Sequence, residues 1–254
     1  MAILTSMKNK RITFYSVRMM FCLLMLSVFK LEAQNDSKPQ ELALLGKELN
    51  DLIPSGWRVL SQASGDINQD GYPDLAFVLQ NTLEENFEYN DGLGIDTLDL
   101  NPRVLGIYFG TADKSFEKVL QSNEFIIIRD VPTMDEPFDE LQILENGDIQ
   151  IDFHFWYSAG SWSSSNYQYH FRYQNQVFEL IQFEKYEHHR GTGDELDISI
   201  DFLTRSMKTI TTTINEDTDE QESDEQVKEF HLEQLKSIQS LGRPFEWEFE
   251  EIRI

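Results

Sequence analysis

Five residues within one nine-residue stretch have the types and the spacing to hold a cation. The stretch is Asp66-Ile-Asn-Gln-Asp-Gly-Tyr-Pro-Asp74, with side-chain oxygens at its first, third, fifth and ninth positions and a glycine at the sixth. Calcium is a hard cation that takes about six to eight oxygen ligands, and Asp and Asn laddered around a glycine-permitted turn supply them. Asp66, Asn68, Asp70 and Asp74 offer side-chain oxygens, and Tyr72 offers its backbone carbonyl. Pro73 fixes the backbone just before the last ligand. The twelfth position, where an EF-hand places a bidentate Glu, is Phe77 inside an apolar run, so the loop is not an EF-hand. The same residues also suit an Asx-rich turn, in which Asp and Asn accept from neighbouring backbone amides. Four oxygen donors at odd spacing around a glycine exceed what such a turn needs, and a structural Ca2+ is expected.

The elements that must position this loop read as strands. Residues 58–63 lead in and 75–79 lead out, with the two-residue period of a pleated strand. Upstream, a helix is expected over 37–53. Ser37 and Gln40 have capping-box spacing, Pro39 lies in the first turn, and Leu42, Leu45, Leu49, Leu52 and Ile53 make one apolar face. Residues 81–101 form an insertion with six acids and no base. Residues 103–109 and 116–120 read as a hairpin, and 125–128 as a short buried strand. A Pro- and acid-rich connector over 130–140 divides a unit at 34–129, helix plus calcium-loop strands, from an antiparallel β region at 130–254. In the second region Asn146-Gly147 is a hairpin turn, and Tyr167, Tyr169, Phe171 and Tyr173 share one strand face. Residues 215–226 are a low-complexity acidic run without apolar groups to bury, and a disordered loop is expected there. Residues 227–241 suit a helix or a strand, and 245–254 a strand. The predicted class is mainly β, with antiparallel sheets in a propeller-blade-like or sandwich-like arrangement and an N-terminal helix.

The run Gly65-Asp-Ile-Asn-Gln-Asp-Gly-Tyr-Pro-Asp-Leu-Ala76 resembles the calcium loop of FG-GAP or VCBS-type repeats. In that class such a loop joins two strands of a propeller blade. Residues 103–120 are similar to the later strands of the same unit, so the resemblance spans about residues 57–121. With one copy of the loop, the chain is most similar to small secreted bacterial proteins carrying a single unit. The resemblance implies Ca2+ held by Asp66, Asn68, Asp70 and Asp74, with Tyr72 through its carbonyl.

Lys8, Lys10, Arg11 and Arg18 precede an apolar run at 19–29 that is too short to span a bilayer, and Ala33 is a small residue before a polar stretch. Residues 1–33 are therefore expected to be a signal peptide, with the mature chain periplasmic or extracellular and without a stable membrane span. Cys22, the only cysteine, falls inside that leader. The remainder then has no disulfide, and a bound ion would help to fasten it by binding the folded state alone. Setting aside the leader's five bases and one acid leaves 16 Lys and Arg against 44 Asp and Glu, a net charge of −28. Such a surface repels nucleic acid and anionic membranes.

Weaker constellations remain. Trp156, Tyr157, Trp162, Tyr167 and Tyr169 bracket a Ser/Gly-rich loop, and suit either a stacking platform or a packed core. His154, His170 and Asp152 share polar strand faces, whereas His188 and His189 point to opposite faces. Asp91 to Leu98 nearly matches a calcium β-roll repeat, in a single copy. No zinc-protease His pair, nucleophile elbow or phosphate loop occurs. The expected function is a secreted calcium-binding module, non-catalytic, with an unknown protein or glycan as ligand. The alternative is a secreted hydrolase acting on an extracellular polymer.

Overall fold

Two-residue alternation and β-branched and aromatic content build two antiparallel sheets. The computed structural model describes residues 40–215, 218 and 220–254. The leader expected over 1–33 lies outside the described residues. The first sheet is drawn from β1 (Leu45–Gly46), β2 (Trp57–Gly65), β3 (Asp74–Asn81), β6 (Arg103–Gly110) and β7 (Phe116–Ser122), in the order β1-β7-β6-β3-β2. Between β3 and β6 the acidic insertion folds into a small hairpin, β4 (Phe87–Tyr89) with β5 (Thr97–Asp99). The central strand β3 is apolar on both faces because both are covered. Leu75, Phe77 and Leu79 pack with Val104 and Tyr108 under Leu42 and Leu52. Ala76 and Val78, with Leu105 and Ile107, face the second sheet.

In its described part, the helix expected over 37–53 is confined to one turn, Leu49–Leu52. The Asp51 carboxylate accepts from the Lys47 and Glu48 amides at 2.8 and 3.1 Å, which caps the turn at Glu48 and starts the helix there. The preceding chain doubles back tightly, since a Cβ at Gly46 would lie 2.5 Å from the Leu52 side chain. Leu42, Leu49, Leu52 and Ile53 cover the sheet, but Leu45, expected on the same helix face, is exposed because it lies in β1 instead of a helix.

The second sheet has seven strands in the order β14-β13-β12-β11-β10-β9-β8. They are β8 (Phe138–Ile143), β9 (Ile149–Phe155), β10 (Ser163–Gln174), β11 (Val177–His189), β12 (Glu195–Asp201), β13 (Ser206–Ile214) and β14 (Gln221–Glu229). Phe153, Tyr169, Phe171 and Phe183 point inward. Phe125, from the segment 125–128 that is expected as a strand and forms none, inserts among them, 5.4 Å from the Tyr169 ring and 5.3 Å from Phe171. The C-terminal segment closes the other end with a helical turn, Ile238–Leu241, and the short pair β15 (Glu248–Phe249) and β16 (Ile252–Arg253). Its Trp247 and Phe249 pack at tilted angles against Phe202, and its Phe245 packs edge-on against Tyr167. The connector over 130–140 marks the change of sheet, but both sheets contribute to one continuous core. Buried Arg103 ties that connector to the first sheet through Glu136, at 2.6 and 2.9 Å, and the Ile127 carbonyl.

The acidic run departs from expectation. Residues 221–226 are not a disordered loop. They begin β14, which pairs residue by residue with β13 from Ser206↔Glu229 to Ile214↔Gln221. The Thr-rich β13 supplies a regular hydrogen-bonding edge. Every β14 residue is exposed, so its carboxylates stay solvated and forming the strand buries no charge. Among the described residues no helix is long and apolar enough to cross a membrane.

Candidate metal centre

The loop between β2 and β3 is a chain reversal built on two left-handed residues, Gln69 at φ 59° and Gly71 at φ 88°. Open space surrounds the position of a Gly71 Cβ, so glycine is favoured there by its backbone angle. Around this reversal the polar side chains accept the amides that the turn leaves unpaired. Asp66 accepts from the Asp70 and Gly71 amides, both at 3.0 Å. Asn68 Oδ1 accepts from the same Asp70 amide at 3.1 Å, while its Nδ2 donates to Asp70 Oδ2 at 2.9 Å. Asp70 Oδ1 accepts from the Tyr72 amide at 2.9 Å. Asp66 and Asn68 oxygens therefore meet at one amide, and the Asn68 and Asp70 side chains touch.

Asp74 sits differently. Its side chain is fully buried and staples three segments together. Oδ2 accepts from the Ile67 amide at 2.7 Å and the Asn68 amide at 3.3 Å, and Oδ1 from the Gly110 amide at 2.8 Å. Burial pushes its pKa up, against the three amide donors that pull it down, and the charge of Asp70 pushes it further up. A cation at the loop would counter the Asp70 repulsion and favour both carboxylates.

The loop is also a joint between the sheets. Ile67 is buried in the shared core. Gln69 donates to the Asn146 carbonyl at 3.1 Å, across from the β8–β9 turn. That turn presses against the loop backbone, since a Cβ on Gly147 would lie 2.7 Å from the Asp66 carbonyl; separately, the end of β6 approaches it, since a Cβ on Gly110 would lie 2.1 Å from the Pro73 carbonyl. Asp148, just after the turn, is buried and forks onto Arg172 at 2.7 and 2.8 Å. None of these supporting residues is adjacent to the loop in sequence. Asn146-Gly147 signals a hairpin, but nothing in the chain says which loop it leans on.

The residues present fit an oxygen-seeking divalent cation. All of the side-chain donors are hard oxygens, and a carboxylate offers about four lone-pair directions, of which the backbone amides use at most three at any one residue here. Among the described residues no three His, Cys, Asp or Glu side chains come together closely enough to hold a metal by themselves. Asp66, Asn68 and Asp70 are drawn together at the turn, whereas Asp74 is not gathered with the other two carboxylates and points its oxygens at the Ile67, Asn68 and Gly110 amides.

The other candidates separate. His189 Nδ1 pairs with Thr192 at 2.9 Å, and His188 lies 3.7 Å from Glu195. His154 pairs with Asn166 at 2.7 Å, and burial lowers the His170 pKa. Asp152 is held by Gln150 and Gln168, and burial pushes its carboxyl up to about 6, with the charges of Asp139 and Glu140 adding to the effect. Tyr167 and Tyr169 belong to the core, whereas Trp162 is exposed. Comparison of the chain with protein-family models, curated proteins and solved structures found no match.

Proposed function

We propose that the protein is a secreted calcium-binding β protein acting as a non-catalytic binding or interaction module. The observation that carries this reading is the convergence of Asp66, Asn68 and Asp70 around a turn that joins the two sheets, with buried Asp74 behind it. The ion would neutralise clustered acids and hold the β2–β3 loop against Gly110 and Asn146. Its ligands are Asp66, Asn68, Asp70 and Asp74 and the Tyr72 carbonyl. Export is supported by the basic, then apolar, then small-residue order of residues 1–33.

The hydrolase alternative draws on Asp152, whose pKa of about 6 falls in the range of a general acid. Its side-chain partners are two glutamines, which position no nucleophile or water-activating base. The binding reading is therefore preferred. Thermal unfolding of the chain from residue 34 onward, with millimolar Ca2+ or with EDTA, tests it. Calcium is expected to raise the midpoint of the wild type and to leave Asp70→Ala unmoved. Equal midpoints for the wild type in both buffers would remove the reading's basis.

A further inference from the structure

Hydrogen bonds at both ends of the last ladder fix which way each residue of β14 turns its backbone. The Phe230 amide donates to the Arg205 carbonyl at 3.0 Å, and the Asn215 amide to the Glu220 carbonyl at 2.9 Å. Both contacts lie in register with the unbroken pairing from Ser206↔Glu229 to Ile214↔Gln221. Bonded and non-bonded pairs alternate in an antiparallel ladder. Glu222, Asp224, Gln226 and Lys228 therefore direct their amides and carbonyls to β13, and Gln221, Ser223, Glu225, Val227 and Glu229 turn theirs away from it. The Thr212 and Ser223 hydroxyls, 3.0 Å apart, belong to a non-bonded pair, where side chains come closer.

β14 ends its sheet, and among the described residues nothing bonds those outward amides and carbonyls. They run along roughly 30 Å of strand, at about 3.3 Å per residue. Such a row is a template for another strand. Edges are commonly blunted by shortness, proline, a bulge, a covering segment or charge. β14 is nine residues long, contains no proline, keeps one register throughout and is exposed at every residue. Charge alone remains.

Charge guards an edge according to its sign. Glu222 and Asp224 project from one face of the strand, Glu225 and Glu229 from the other. Against these four acids β14 carries one base, Lys228, which is held by Glu250 at 2.9 Å. Lys208 of β13 lies 3.7 Å from Glu225, and both side chains are exposed. A like edge meets repulsion on both faces. An extended segment with Lys or Arg on both of its faces instead sets its bases beside these carboxylates as cross-strand pairs.

We propose that the free edge of β14 binds an extended, Lys- and Arg-rich segment of a partner protein as an added strand. The proposal names the partner chemistry of the binding module and rests on that reading, but uses no residue of the calcium loop. Calorimetric titration of the chain from residue 34 onward, at low ionic strength, with the end-blocked peptide Lys-Val-Arg-Lys-Thr-Lys-Val-Arg-Lys tests it. One comparison peptide carries Glu in place of every base; another keeps the side chains but has every internal amide N-methylated. The basic peptide is expected to bind about tenfold or more tightly than either. Val227→Pro removes an outward donor and none directed to β13, and is expected to weaken that binding about fivefold or more with the circular dichroism spectrum unchanged. The double reversal Glu222→Lys with Asp224→Lys, at exposed positions, is expected to lose the basic peptide and gain the Glu peptide, which decides the matter even where the proline variant fails to fold. Asp70→Ala is expected to keep peptide binding, so a failed calcium titration does not decide this experiment. No binding of the basic peptide at millimolar concentration would overturn the proposal, as would equal binding of either comparison peptide. A wild-type dimer in sedimentation velocity that Val227→Pro dissolves would make a second copy the occupant of the edge and overturn it as well.

Discussion

Asp152 and Asp74 are both buried carboxylates, and they differ in what surrounds the charge. Asp74 accepts three backbone amides, one of them from the end of β6. Among the described residues the side-chain partners of Asp152 are Gln150 and Gln168, with Asp139 and Glu140 nearby. Burial, then those two charges, moves its pKa from 3.8 to about 6. Between those pH values the folded state holds the extra proton, so this group makes stability fall as pH rises through the window, and the loss persists above it. Asp152→Asn is expected to raise stability at pH 7 by on the order of 2 kcal/mol and to flatten the stability profile between about pH 4 and pH 6. Urea midpoints across that range are the check, and an unchanged slope would contradict the assignment. At this scale the sequence identifies the oxygen-bearing residues of the loop but not their division of labour. Asp74 is the residue that turns inward because its third donor, Gly110, comes from a strand 36 positions away.

Strands are more legible than helices in this chain, for a local reason. Alternation over 149–155 and 167–173 is set by residues that all face one core, and it survives in β9 and β10. The expected N-terminal helix has the right apolar spacing, but the Asp51 cap and the tight approach at Gly46 shorten it to one turn. The acidic run fails for the opposite reason. Its composition argues against burial, and β14 is not buried at all; a partner strand with free backbone groups orders it. As a long, regular edge, β14 depends on Glu222, Asp224, Glu225 and Glu229 to repel like edges. Replacing Glu222, Asp224 and Glu225 with their amides is expected to produce concentration-dependent association, seen as rising light scattering at low ionic strength. A triple variant that stays monomeric would show that the charges are not what guards this edge.

Across the whole molecule, one continuous core joins two antiparallel sheets, and the acidic loop lies where they meet. The mainly β class and the change of architecture near 130–140 follow from pattern and composition. The packing of the Asn146-Gly147 turn on the Asp66–Asp74 loop does not, because it depends on how two distant hairpins stack. A cation bound at the proposed loop site would through that joint act on both sheets. Isothermal titration of Ca2+ into the metal-stripped chain from residue 34 onward tests the central claim most directly. A saturable single-site isotherm is predicted for the wild type, lost in Asp70→Ala. Superimposable heats of dilution from the two proteins would contradict it.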